Sequence, residues 1–278
     1  MGGTQARGTR SQRGGKDGRG GLGNVLSGLA VAIGFVLFIG GFVWGAVLYQ
    51  PYTVPTDSMM PTVRPGDRVL AQRIDGGEVR RGDVVVFTDS MWSDSPMVKR
   101  VVGVGGDTVK CCGEGGRLTV NGKELDEPYI DDTKPAARPD GQPGGQADGQ
   151  TGAAGTPSGA ASVTPFEVTV PEGKLFLLGD RRAASLDSRA HLQEAGQGTV
   201  ARSAVSARVD ALAWPSMAML ERPRTYAALP GGISRPGPLR LQVAAVAVGA
   251  ALVLLGAAYG PLVRVLGRGR RRERPGAR

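Results

Sequence analysis

Two hydrophobic patterns divide this chain. Residues 20–56 carry no charge, and within them NVLSGLAVAIGFVLFIGGFVWGAVLYQ (24–50) is almost continuously apolar. LQVAAVAVGAALVLLGAAYGPLV (241–263) repeats the pattern near the other end. Both exceed the roughly 20 residues a helix needs to cross a bilayer, which predicts membrane helices over 25–48 and 241–263. A buried core helix has the same length. Trp44, Tyr49 and Tyr52 at one end of the first run, and Arg and Lys before the other, instead match a span with its interfacial belt. The run is too long for a usual cleavable signal and has no obvious small-residue cut site after it, so it reads as an uncleaved anchor.

Between the two runs the pattern is short and alternating. RVLAQRI (68–74), DVVVFTD (83–89) and MVKRVVGV (97–104) are rich in β-branched residues and separated by Gly/Asp turns, as strands are. RLTVNGKEL (117–125) holds an Asn-Gly step between extended arms, a hairpin signal. FEVTV (166–170) and KLFLLGD (174–180) flank Pro-Glu-Gly, and TVARSAVSARVDALAW (199–214) reads as closing strands or as helix. No strand–helix–strand rhythm occurs. The fold class is therefore mostly β: an antiparallel β-sheet domain over 51–221 with two flanking transmembrane helices. Residues 133–164 are nearly all Gly, Ala, Pro, Gln, Asp, Ser and Thr, a disordered low-complexity insertion by composition. Residues 222–240 read as a Pro/Gly linker.

Charge sharpens the topology. The chain carries +9 in total, but residues 1–24 hold +4, residues 264–278 hold +6, and the remainder is near −1. Basic tails on a near-neutral body suit anionic lipid headgroups and argue against nucleic acid. Arg7, Arg10, Arg13, Lys16 and Arg19 precede the first span, and Arg264, Arg268, Arg270, Arg271, Arg272 and Arg274 follow the second. Both termini would be cytoplasmic and the middle extracytoplasmic. The two cysteines, Cys111 and Cys112, are adjacent. Neighbours rarely reach disulfide geometry, so they are expected to be structural or incidental, and a metal centre lacks further ligands in a chain with one histidine.

Candidate chemistry begins at PTDSMMPTVRPGD (55–67). Pro55 and Pro61 restrict the backbone on both sides of Ser58, Thr56 brings a second hydroxyl, and Met59 and Met60 are placed to touch lipid. A nucleophilic serine needs a base. His191 with Asp180 or Asp187 is one arrangement that spacing leaves open. Lys99 is the better base: Met97, Lys99 and Val101 share a strand face, and burial there lowers the amine's pKa, so that it takes the serine proton.

PTDSMMPTVRPGD, RGDVVVF (81–87), MVKRVVGVGGDTV (97–109) and LLGDRRAASLDSR (177–189) resemble, in order, the four motif blocks of the type I signal peptidases. Over about 50–132 and 166–215 the chain is similar to these membrane serine endopeptidases, with an actinobacterial cast from its composition. The resemblance implies Ser58 as nucleophile and Lys99 as general base. It implies an oxyanion hole from the Ser58 amide and the Thr56 hydroxyl, and Ser185 hydrogen-bonded to Lys99. Asp180, Arg182, Asp187, Arg189 and Arg100 would be supporting ion pairs. It further implies cleavage of secretory preproteins after small-x-small signal peptide sites, no cofactor or metal, and a monomer in the bacterial membrane near the export translocon. Three positions depart from the family pattern: Thr56, where many relatives have serine and the donor is retained, Asp57, where some have glycine, and Arg181, where others carry asparagine or histidine. Self-cleaving Ser-Lys repressors share the dyad but not two spans. A membrane-anchored, non-enzymatic β-domain that scaffolds exported proteins is the other class of function.

Overall fold

The computed structural model describes residues 18–113, 116–130, 162 and 164–272. Most of the expected insertion at 133–164, residues 1–17 of the first tail and residues 273–278 of the second lie outside them. Two units make up the chain, one of residues 46–239 and one of the helices at either end.

The helical unit consists of α1 (Gly18–Leu48) and α2 (Leu239–Arg272). Residues 23–48 and 239–262 are long and apolar enough to cross a membrane. Along α1 the inward positions are Ser27, Val31, Gly34, Gly41 and Gly45; along α2 they are Gln242, Ala245, Val246, Gly249, Leu252 and Gly256. This spacing of three and four is the seam of two helices wrapped on one another. Lipid offers apolar side chains as good a home as a neighbouring helix does, so membrane helices associate by close backbone approach across small residues. Here a methyl group on Gly34 would stand 2.8 Å from Gly249 O and from Leu252 Cβ. Ser27 Oγ donates to Gly256 O at 2.7 Å.

The β unit contains two antiparallel sheets, where the sequence pattern suggested one. The larger runs β1 (Tyr49–Thr53), β2 (Arg68–Arg73), β11 (Val205–Trp214), β3 (Val84–Asp89), β4 (Ser93–Val104), β9 (Lys174–Leu178) and β10 (Thr199–Ala201), with β12 (Ala218–Met219) on β11. The smaller is β7 (Lys123–Glu124), β6 (Leu118–Val120), β5 (Thr108–Cys111) and β8 (Phe166–Thr169). The Asn-Gly hairpin forms as its residues require, with Asn121 at φ 53° and Gly122 at φ 75° between β6 and β7, the left-handed pair of a tight two-residue turn. The segment 199–214 is strand apart from a short 3-10 turn at 202–204.

Two expectations are corrected. Residues 222–239 are no free linker: Tyr226 and Leu229 are buried in the core beside Val102, Phe176 and Leu178. Cys111 and Cys112 are joined in a disulfide across their own peptide bond.

The helix seam yields a test. A Cβ added at Gly41 would stand 3.3 Å from Ala245 Cβ, so Gly41→Cys with Ala245→Cys should oxidise readily in membranes. Adding Gly34→Leu should sharply reduce that crosslink, read on non-reducing gels after proteolysis between the helices.

Candidate active site

Ser58 sits on a loop that local bonds close at its base. Val54 N donates to Asp67 O at 2.9 Å and Gly66 N to Val54 O at 2.8 Å. Gly66 takes φ 87°, a conformation that glycine adopts at least cost. Within the loop Met59 is fully buried with Val54 and Val63, so it anchors the turn in the protein core and touches no lipid. The loop thus presents Ser58 from a packed base, with Ser58 itself buried.

Lys99 arrives from the middle of β4, paired across with Val85 of β3. Val85, Val101 and the packed Met97 belong to one apolar cluster, as the alternation in MVKRVVGV implied. Lys99 Nζ donates to Ser58 Oγ at 2.7 Å, and Thr56 Oγ1 is 3.2 Å from the same oxygen. Lys99 is only 5% exposed. Burial pulls its pKa down to about 8, against the opposing fields of Asp187, Asp180 and Asp57 and with help from Arg189. A substantial neutral fraction near neutral pH is what a lysine base needs.

The loop after β9 surrounds this pair. Register puts Arg100 of β4 opposite Leu178 of β9, so Asp180, two residues on, meets the guanidinium at once. Arg100 Nε and Nη2 each donate to Asp180 at 2.7 Å, with both side chains 1% exposed. Arg100 is thus fully buried, its guanidinium 4.1 Å over the Tyr129 ring. Thr62 Oγ1 donates to Asp180 Oδ2 at 2.5 Å, which ties that carboxylate to the Ser58 loop. Arg182 pairs with Glu127 at 2.6 Å, and Arg189 with Asp187 at 2.8 Å. Burial alone would raise the Asp187 carboxyl, but hydrogen bonds and charge from Arg189 and the Gly179 N–H outweigh it and hold it low. A side chain at Gly179 would collide with Ser185 Oγ and Ser58 O, so only glycine lets the loop lie flush on the Ser58 backbone.

One expected contact is absent. Ser185 makes no hydrogen bond to Lys99. Its Oγ is near enough to Asp187 to favour the carboxylate, yet among the described residues it meets no partner at hydrogen-bond geometry. His191 is not aimed at Ser58: its Nδ1 is 2.7 Å from Glu194 Oε1 and its ring stacks on Trp92. Glu127, Tyr129 and Thr62 were missed from sequence, because nothing in isolated Glu, Tyr or Thr residues signals a buried partner.

The chain matches the family described as Signal peptidase, peptidase S26, over residues 25–214. It belongs to that family. It is a serine endopeptidase of the signal peptidase I type. Signal peptidase I S of Bacillus subtilis is 35% identical over 163 residues, covering 58% of this chain and 74% of that protein. Signal peptidase IB of Staphylococcus aureus is 33% identical over 189 residues, covering 67% and 87%. Signal peptidase I U of Bacillus subtilis is 33% identical over 145 residues, covering 51% and 66%. The matched span takes in all four motif blocks and the first apolar helix.

Two measurements follow. Asp180→Ala strands the Arg100 guanidinium without its partner and should cost about 3–5 kcal/mol in urea unfolding. Lys99→Met removes a buried amine that binds a proton less readily folded than unfolded. Wild-type stability therefore rises with pH between about 8 and the 10.5 of a free lysine. The variant should melt above wild type at pH 7, with the gap closing toward pH 10.

Proposed function

We propose that Ser58 attacks the scissile carbonyl of a signal peptide while Lys99 takes its proton. The 2.7 Å contact between Lys99 Nζ and Ser58 Oγ, with its buried, pKa-lowered amine, carries this reading. The Ser58 amide and the Thr56 hydroxyl stabilise the oxyanion, supported by the closeness of Thr56 Oγ1 to the nucleophile. The tetrahedral intermediate collapses to an acyl-enzyme as the protonated Lys99 gives its proton to the leaving amine, and the mature protein departs with its new amino terminus. A water deprotonated by Lys99 then releases the signal peptide. Asp180, Arg182, Asp187, Arg189 and Arg100 hold the two loops in register.

The substrate is a secretory preprotein cut after a small-x-small sequence. It lies extended beside β1, an edge of the large sheet that runs directly into the Ser58 loop, where backbone bonds supply affinity and shallow pockets admit only small side chains. Residues 51–221 lie outside the membrane and both basic tails, 1–24 and 264–278, stay in the cytoplasm beside anionic lipid. Confinement to one membrane surface raises the local concentration of signal peptides and favours work near the translocon as a monomer. An actinobacterial source is a reading of composition alone.

Detergent-solubilised enzyme incubated with a secretory preprotein should produce one new N-terminus after a small-x-small site, read by mass spectrometry. Ser58→Ala and Lys99→Ala should abolish it. The kcat/KM profile should rise with pH through about 8 as Lys99 loses its proton. Cleavage that survives Lys99→Ala would move the base elsewhere, and no cleavage by well-folded protein in lipid would restore the scaffold reading.

A further inference from the structure

Two of the positions at which the chain departs from the family pattern, Asp57 and Arg181, meet in space. Asp57, immediately before the nucleophile, forms an ion pair with Arg181, 124 residues later. The same arginine's backbone N–H donates to Ser58 O at 3.0 Å. On the other side of the turn, Met60 N donates to Asp57 O at 3.0 Å. The carbonyls of residues 57 and 58 are both engaged, so the peptide plane whose N–H belongs to Ser58 has a fixed tilt. That N–H is the main-chain donor proposed for the oxyanion.

Charge adds a second reason for the pair. A carboxylate one residue from the nucleophile disfavours the negative oxygen formed on attack, and it favours the protonated form of the nearby amine. The charged groups that act on Lys99 are Asp187, Asp180 and Asp57, which favour the ammonium, and Arg189, which opposes it. Asp57 alone among these carboxylates has Arg181 as its ion-pair partner. Arg181 is 12% exposed at its side chain and Asp57 43%, so as a surface pair it would add little to stability. Its value lies in geometry and local field.

We propose that Asp57 and Arg181 form a positioning clamp on the nucleophile, in which Arg181 fixes the Ser58 main chain and cancels the carboxylate beside it. This rests on the Ser58–Lys99 reading above and deepens it. In a relative with glycine at the first position and asparagine at the second, no carboxylate needs cancelling. Either single change in this chain therefore harms the site, and the two together relieve the harm.

Steady-state cleavage of a signal-peptide substrate by the full chain in detergent tests the clamp, with wild type and Ser58→Ala run alongside. Arg181→Asn should lower kcat on the order of tenfold with KM nearly unchanged, and should move the acidic limb of kcat/KM to higher pH by roughly a few tenths of a unit. Arg181→Lys keeps the charge and should leave the limb in place. Asp57→Gly should lower kcat and move the limb to lower pH. Asp57→Gly with Arg181→Asn should recover most of the lost rate. A double variant as slow as the product of its singles, or an Arg181→Asn enzyme with unaltered kcat and limb, would overturn the clamp. If Arg181→Asn melts below assay temperature, Asp57→Asn decides the matter: an unmoved limb sinks the proposal. Failure of wild type to cut at all would instead defeat the Ser58–Lys99 reading, a separate result.

Discussion

The base role proposed for Lys99 requires that bulk water be kept from its amine, and the β unit is organised around that constraint. Free in solution the ammonium would hold its proton to pH values far above neutrality. Inside the domain, three carboxylates favour the charged form further. Burial of Lys99 between the apolar residues of β3 and β4 outweighs all three, and the amine sits 2.7 Å from Ser58 Oγ. While the amine is protonated it donates to that oxygen. Once neutral, the same pair can run in reverse, with the hydroxyl donating to the amine lone pair. Any loosening that opens this contact to bulk solvent returns the amine toward its ordinary, protonated state.

The charged groups around the dyad are best understood as the means of keeping that pocket closed. Arg100, Asp180, Arg182, Glu127 and Asp187 are all buried or nearly so. Each is paired, since a buried charge without a partner is costly. The pairs join segments distant in the chain: β4 to the loop after β9, and that loop to Glu127 beside the smaller sheet. They contribute less through net stabilisation than through registry. Asp180 makes the point, accepting from Arg100 on one side and from Thr62 of the nucleophile loop on the other.

The helical unit follows different physics. In lipid there is no hydrophobic gain from burying Leu or Val against a second helix, so the seam is built of Gly34, Gly41, Gly249 and Gly256, where backbones touch. The same abundance of glycine that reads as low complexity elsewhere in the chain is here a packing device, distinguished only by its spacing.

Much of this was legible in the sequence because it depends on neighbours in the chain. A charge-free run of sufficient length forms a helix whatever it packs against. Alternating β-branched residues gave most of the strands, and an Asn-Gly step gave a hairpin at 121–122. The motif blocks named Ser58 and Lys99 together with their arginine and aspartate supports. What the sequence left undecided depends on residues that fold together from far apart. The partners Glu127, Tyr129 and Thr62 came from register and burial. The linker reading of 222–240 failed because Tyr226 finds its core only in the folded domain. The Asp57–Arg181 pair spans 124 residues, and no local pattern encodes it. Composition and periodicity fix what a segment can be, whereas a pKa or an ion pair is fixed by which distant groups exclude water from it, and only the tertiary structure determines that.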